Sequence, residues 1–202
     1  CFTDKMSDHV KIMALKTSFI LFNNLTTFSM MFQIVDEVIQ LLLSENEEVQ
    51  ILAALCLTQL PSNCVSKLCC DTVSQFFQKT FIKLTNSVYN ENKLKLILFS
   101  LRLCGIMTET KEGTIFVIKF TDSIVPFLYL NENDLNSNNC EDIEKVKKFT
   151  CILLTSISSY NQYIDAFEKC IDGMFEIAET TDYYKYSLGF LANISSNVDF
   201  AI

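Results

Sequence analysis

Residues 34–60 read IVDEVIQLLLSENEEVQILAALCLTQL. Apolar residues recur every three or four positions from Ile34 to Leu43 and again from Val49 to Leu60. That is the spacing of helix faces that bury against a neighbour. Between the two runs, Ser44 to Glu48 is polar and acidic. Ser44 or Asn46 ahead of Glu47 and Glu48 suits a helix start: a short oxygen-bearing side chain caps open backbone amides, and negative charge favours the positive end of the helix dipole. The stretch is therefore expected to form two successive helices, 31–43 and 47–60.

The same pattern extends outward. Short polar breaks at Pro61 to Asn63, Tyr89 to Asn92, Thr108 to Gly113, Asn131 to Asp142, Ser158 to Asn161 and Glu179 to Asp182 leave further helices near 8–28, 64–69, 71–88, 92–107, 114–129, 143–157, 161–178 and 183–196. Asp71 ahead of Thr72 offers another helix start. With 4 Gly and 2 Pro in 202 residues, the chain lacks the turn residues of a β-sandwich or barrel and the glycine loops of a nucleotide-binding α/β fold. A hydrophobic content of 50% excludes disorder. Mean hydropathy is positive, at +0.25. Yet Lys95 and Arg102 interrupt Leu94 to Met107, and Asp36 and Glu37 interrupt Ile34 to Leu43, so neither run supplies the roughly 18 to 20 uncharged residues of a spanning helix. No membrane insertion is expected. The net charge of −8 works against binding nucleic acid or anionic lipid, which need clustered positive charge.

Five of these helices end in a similar phrase: Leu21 to Leu25, Cys56 to Leu60, Arg102 to Ile106, Leu153 to Ile157 and Phe190 to Ile194. The phrases share an apolar residue, a small or amide residue in the fourth place and an aliphatic one in the fifth. The fourth place falls at 24, 59, 105, 156 and 193, at spacings of 35, 46, 51 and 37 residues. Their mean of about 42 lies within the ~40 to 47 of two- and three-helix solenoid repeats. Each spacing holds at least one helix ahead of the next phrase-bearing helix, as stacked repeats require. The expected organisation is one domain over 1–202, divided near 1–29 (partial), 30–63, 64–110, 111–159 and 160–202. Because the chain begins at Cys1, it is expected to be part of a longer array.

At residues 34–60 the chain resembles the second and third helices of an armadillo repeat, in which a helix of the form "I…LV.LL.S" precedes an acidic turn and a helix similar to "VQ..AA.AL.NL". Leu191 to Asn197 and Asn24 to Thr26 are similar to the family's third-helix end. The sequons at Asn24 and Asn193 are accordingly read as repeat grammar. The resemblance implies an all-α, right-handed superhelical solenoid and a non-enzymatic scaffold that binds a partner protein along its concave groove. HEAT repeats, a sister solenoid, fit the same period. A structural spacer, with function carried elsewhere in a longer protein, is the alternative function.

Catalysis finds little footing. The one histidine, His9, sits between Asp8 and Val10 in the first helix and is expected to be a solvated surface residue, and Gly105, Gly113, Gly173 and Gly189 stand alone without forming a phosphate loop. Nine cysteines are an odd number for a disulfide scaffold, and Cys56, Cys104 and Cys151 occupy apolar helical positions as small hydrophobes do. They imply a reduced, intracellular setting, cytoplasm or nucleus. Cys64, Cys69 and Cys70 have no second pair at zinc spacing, so no metal or cofactor is expected. Phe76, Phe77 and Phe81 fall at core spacing. Tyr183, Tyr184 and Tyr186 form either a surface patch or a buried seam.

In armadillo members that read basic localisation signals, tryptophan stands four residues before the phrase asparagine. Here those places hold Ile20, Leu55, Leu101, Ile152 and Gly189, and the chain has no Trp. The phrase place itself holds Asn24, Gln59, Gly105, Ser156 and Asn193. Eight residues before it stand Lys16, Ile51, Ile97, Lys148 and Lys185, and the three lysines suit an acidic partner segment. The expected groove is thus lined by Lys16, Ile20, Asn24, Leu55, Gln59, Leu101, Lys148, Ile152, Ser156, Lys185, Gly189 and Asn193. An extended peptide or a helix is the expected occupant. Asn131 to Asp142 is read as an insertion between two helices.

Overall fold

The computed structural model describes residues 6–22, 28–61, 64–84, 90–130, 140–160 and 167–196. Among the described residues there are eleven α-helices and no strand. They are α1 (Asp8–Phe22), α2 (Phe28–Leu41), α3 (Glu47–Leu57), α4 (Val65–Leu68), α5 (Asp71–Leu84), α6 (Glu91–Met107), α7 (Lys111–Ile118), α8 (Thr121–Ile124), α9 (Cys140–Ser158), α10 (Ile171–Thr180) and α11 (Tyr184–Ser195). A 3-10 segment, Val125–Tyr129, follows α8.

Helix starts follow local chemistry. The Asn46 side chain accepts from the amides of Glu48 (3.0 Å) and Val49 (3.2 Å). Asn90 accepts from Lys93 (2.9 Å) and Thr110 from Gly113 (3.1 Å). Each such cap is worth about 1 kcal/mol. At the other end of α2, buried Gln50 donates to the Leu42 carbonyl at 3.1 Å, satisfying a group that the helix leaves open. Asp71 is the first helical residue of α5.

The phrase-bearing helices form one layer: α1 packs on α3, α3 on α6, α6 on α9 and α9 on α11. A second layer backs it, with α2 on α5, α5 on α8, and the 3-10 segment on α10. Short α4 bridges α2 and α7. Two-layer stacking in which every unit touches mainly its neighbours is the geometry of an α-solenoid. Between the layers runs a phenylalanine cluster. Phe77 meets Phe81 at 5.3 Å and Phe120 edge-on at 5.4 Å, and Phe81 meets Phe127 at 5.8 Å.

Three expectations need correction. The single helix expected over 114–129 is broken into α7, α8 and the 3-10 segment. The Phe120 amide bonds back to Val117 at 2.9 Å, the Thr121 hydroxyl ties to the Ile118 carbonyl at 2.8 Å, and Pro126 lacks an amide for a continuing helix. The breaks turn Phe120 and Phe127 onto Phe77 and Phe81. Cys140 to Asp142, expected in the insertion, open α9, where the acidic side chains of Glu141 and Asp142 face a helix N-terminus. Residues 131–139 of that insertion lie outside the described residues. Residues 167–170 form a 3-10 turn ahead of α10, inside the helix expected over 161–178.

The Tyr129 hydroxyl joins the 3-10 segment to α10, accepting from the Gly173 amide (3.1 Å) and donating to the Lys169 carbonyl (3.2 Å). The tyrosines near 183 divide between the two expected roles. Tyr183 is buried and donates to Glu144 at 3.2 Å, Tyr186 is half-buried, and Tyr184 is exposed.

Cys56, Cys104, Cys151 and Cys170 are fully buried. Burial pushes Cys56, Cys151 and Cys170 up to about 12. Unfolded thiols ionise near 9.0, so between those values the unfolded chain binds fewer protons and stability falls as pH rises. Melting temperature is expected to decline from about pH 9 towards pH 12, less steeply in Cys151→Ala; a rise over that window would contradict the buried thiols.

Two glycines give opposite outcomes on one substitution. A Cβ on buried Gly113 would run into the Met107 carbonyl oxygen and lie 2.8 Å from Val65 Cγ1, whereas one on Gly105 meets nothing within 4 Å. Gly113→Ala should destabilise by about 1–3 kcal/mol. Gly105→Ala should stabilise by about 0.5–1 kcal/mol through helix propensity. Thermal melts of the two variants check the signs.

Candidate functional site

Where α3, α6 and α9 lie side by side, their exposed faces enclose a concavity of about 450 Å³. Thr58 and Gln59 enter from the end of α3. Leu101, Arg102, Gly105, Ile106 and Glu109 come from α6, and Phe149, Ile152, Leu153 and Ser156 from α9. Gly105 forms part of its floor, since no atom stands within 4 Å of where a Cβ would be. Leucine, isoleucine and phenylalanine side chains make the walls, with polar groups at the edges. The Gln59 amide donates to the Thr58 hydroxyl (3.1 Å), which donates to the Leu55 carbonyl (2.7 Å). The Ser156 hydroxyl donates to the Ile152 carbonyl (3.0 Å), leaving its lone pairs to accept. Apolar walls with a few placed polar groups are the usual make-up of a recognition site.

The cation of this concavity is Arg102. Its guanidinium carbon sits 4.7 Å from the centroid of Phe149 on the adjacent helix and 5.8 Å from that of Phe99 one turn back. Ring contact at these distances holds the group in place through cation–π attraction.

The structure brings five phrase-register residues together here: Gln59, Leu101, Gly105, Ile152 and Ser156. The others lie apart. Leu55 is half-buried on α3, Ile20 is 70% exposed on α1, and Asn24 lies outside the described residues. Lys16 pairs with Glu48 at 3.7 Å. Ile97, which stands in the lysine register of α6, is fully buried. Lys148 borders a separate depression of about 620 Å³ with Glu141, Glu144, Lys145, Lys147, Thr181, Asp182 and Tyr183. The Lys185 ammonium lies 5.0 Å from the Tyr186 ring centroid. Gly189 lets α11 approach α9, since a Cβ there would be 3.2 Å from Thr155 Cγ2. The Asn193 amide donates to the Thr155 carbonyl (3.3 Å) and the Ser158 hydroxyl (3.0 Å), fastening α11 to α9. Sequence reasoning missed Arg102 and Phe149 as groove residues. The available signal was the departure of Arg102 from the apolar residues that open the other four phrases.

The remaining reactive groups are differently placed. His9 is exposed on α1. Burial, and then the nearby Glu112, push Cys69 up to about 11, the opposite of what a thiolate nucleophile needs. Among the described residues, no group of three His, Cys, Asp or Glu is placed to hold a metal ion, and no helix is long and apolar enough to cross a membrane.

No family model and no curated protein matches the chain. Solved structures do. A designed armadillo repeat protein superposes with a TM-score of 0.71 at 13% identity, over 98% of this chain and 81% of that one. An engineered protein gives 0.69 at 18% identity, over 96% and 76%. A second engineered protein gives 0.58 at 14% identity, over 97% and 96%. Paired layers, the stacked phrase helices and similarity over nearly the whole chain agree, and the protein has an armadillo-like repeat fold.

Proposed function

We propose that the chain is a non-enzymatic interaction scaffold that holds a partner peptide or helix along the exposed faces of α3, α6 and α9. The supporting observation is Gly105. Glycine inside a helix costs up to about 1 kcal/mol relative to alanine, and no neighbouring atom requires its absent side chain. What it does is keep an apolar-walled floor open between three helices that are otherwise filled. Ile106, Phe149 and Ile152, each partly exposed at its walls, offer anchor contacts of the kind that dominate protein interfaces. An intracellular setting, cytoplasm or nucleus, belongs to the same reading, on the strength of cysteines placed as core hydrophobes.

A spacer whose groove holds nothing draws on a different observation. Asn193 and Lys16, two polar groups of the expected groove, are engaged with neighbouring helices. Selection of displayed random peptides separates the two readings. Peptides selected on the wild-type chain should bind Gly105→Phe at least about tenfold more weakly, a loss of about 1.4 kcal/mol, while the variant melts no lower than wild type. Equal binding to both proteins, or failure to select any peptide, favours the spacer.

A further inference from the structure

We infer that the occupant of the concavity is an acidic segment in which an apolar side chain fills the space over Gly105 and a neighbouring carboxylate is clamped by Arg102. This rests on the interaction-scaffold reading above. Six described lysines, Lys11, Lys16, Lys67, Lys95, Lys145 and Lys169, meet carboxylates of their own chain, while Lys119 and Lys185 lie near the rings of Phe116 and Tyr186. Arg102 instead meets two rings, and among the described residues no carboxylate pairs with its exposed guanidinium. The protein carries 24 acidic against 16 basic residues, so an arginine in a groove whose contacts are rings on two adjacent helices is a distinct feature.

Geometry makes it selective. Cation–π contact uses none of the guanidinium N–H donors as hydrogen bonds, and their planar fork matches the two oxygens of a carboxylate. Contact with Phe149 and Phe99 also holds the side chain before a partner arrives, lowering the ordering cost of binding. Beside it, Leu101, Ile106 and Ile152 surround the unfilled volume over Gly105, which suits an aliphatic or aromatic side chain rather than a second charge. Glu109 lies seven residues along α6, about 10 Å from Arg102 along the axis.

The probes are three short fluorescent peptides: one alternating aspartate and leucine, one with asparagine in place of aspartate, and one with lysine. The wild-type chain should bind the aspartate peptide about tenfold or more tightly than the asparagine peptide, with the lysine peptide weakest. Arg102→Gln should erase that preference at unchanged melting temperature, Arg102→Lys should retain only part of it, and Arg102→Glu should turn it towards the lysine peptide. Aspartate and asparagine peptides that bind equally, both lost in Gly105→Phe, would overturn the carboxylate clamp and leave the scaffold reading standing. No binding of any of the three would overturn both. A single-stranded oligothymidylate that competes as well as the aspartate peptide would show that the arginine serves a nucleic acid and would overturn the proposal.

Discussion

Each internal phrase helix is buried on both flanks by its neighbours in the stack, and the rest of the structure depends on that constraint. On α6, Leu94, Ile97, Leu101 and Cys104 run along one flank while Leu96, Leu103 and Met107 run along another, and all seven are buried. Two seams plus a backing layer consume most of the helix circumference. Roughly 2 kcal/mol for each fully buried leucine or isoleucine makes the seams the main source of stability. The same constraint explains a positive mean hydropathy in a chain with no described helix long and apolar enough to cross a membrane: a helix buried on several sides is apolar nearly all round.

What the seams leave exposed is a narrow strip on each helix, and the functional surface is assembled from these strips. Arg102 and Phe149 are distant in sequence, yet the packing of α6 on α9 brings guanidinium and ring to 4.7 Å. The concavity therefore belongs to the stack rather than to any one repeat. Because backbone hydrogen bonds are satisfied within helices, its recognition chemistry rests on side chains borne by rigid elements, which hold their positions better than loops do.

Much of this was legible in the sequence because solenoid repeats write the same requirement several times. The phrase at Leu21, Cys56, Arg102, Leu153 and Phe190 identified the helices that stack, and a polar residue before an acidic pair, Ser44 or Asn46, placed the start of α3, with Asn46 the one that caps it. The breaks in 114–129 were hidden because apolar periodicity runs through them; only Thr121 and Pro126 signalled a change of hydrogen-bonding pattern. The site was partly legible. Counting back four residues from the phrase position keeps to within about 40° of the same helix face, but counting back eight rotates by about 80°. That rotation carries Ile97 into a seam and Lys148 into another depression. Counting back seven, within about 20°, leads from Ser156 to Phe149. A repeat pattern records what its units share, and Arg102 is the residue that departs from it.

Hydrogen–deuterium exchange of the whole chain, free and saturated with a peptide selected on it, tests the central claim most directly. The account predicts slowed exchange in α6 and α9 around Leu101 to Glu109 and Phe149 to Ser156, and at the end of α3, with α2, α5 and α10 unchanged. Protection confined to the backing layer, or spread evenly over the chain, would contradict it.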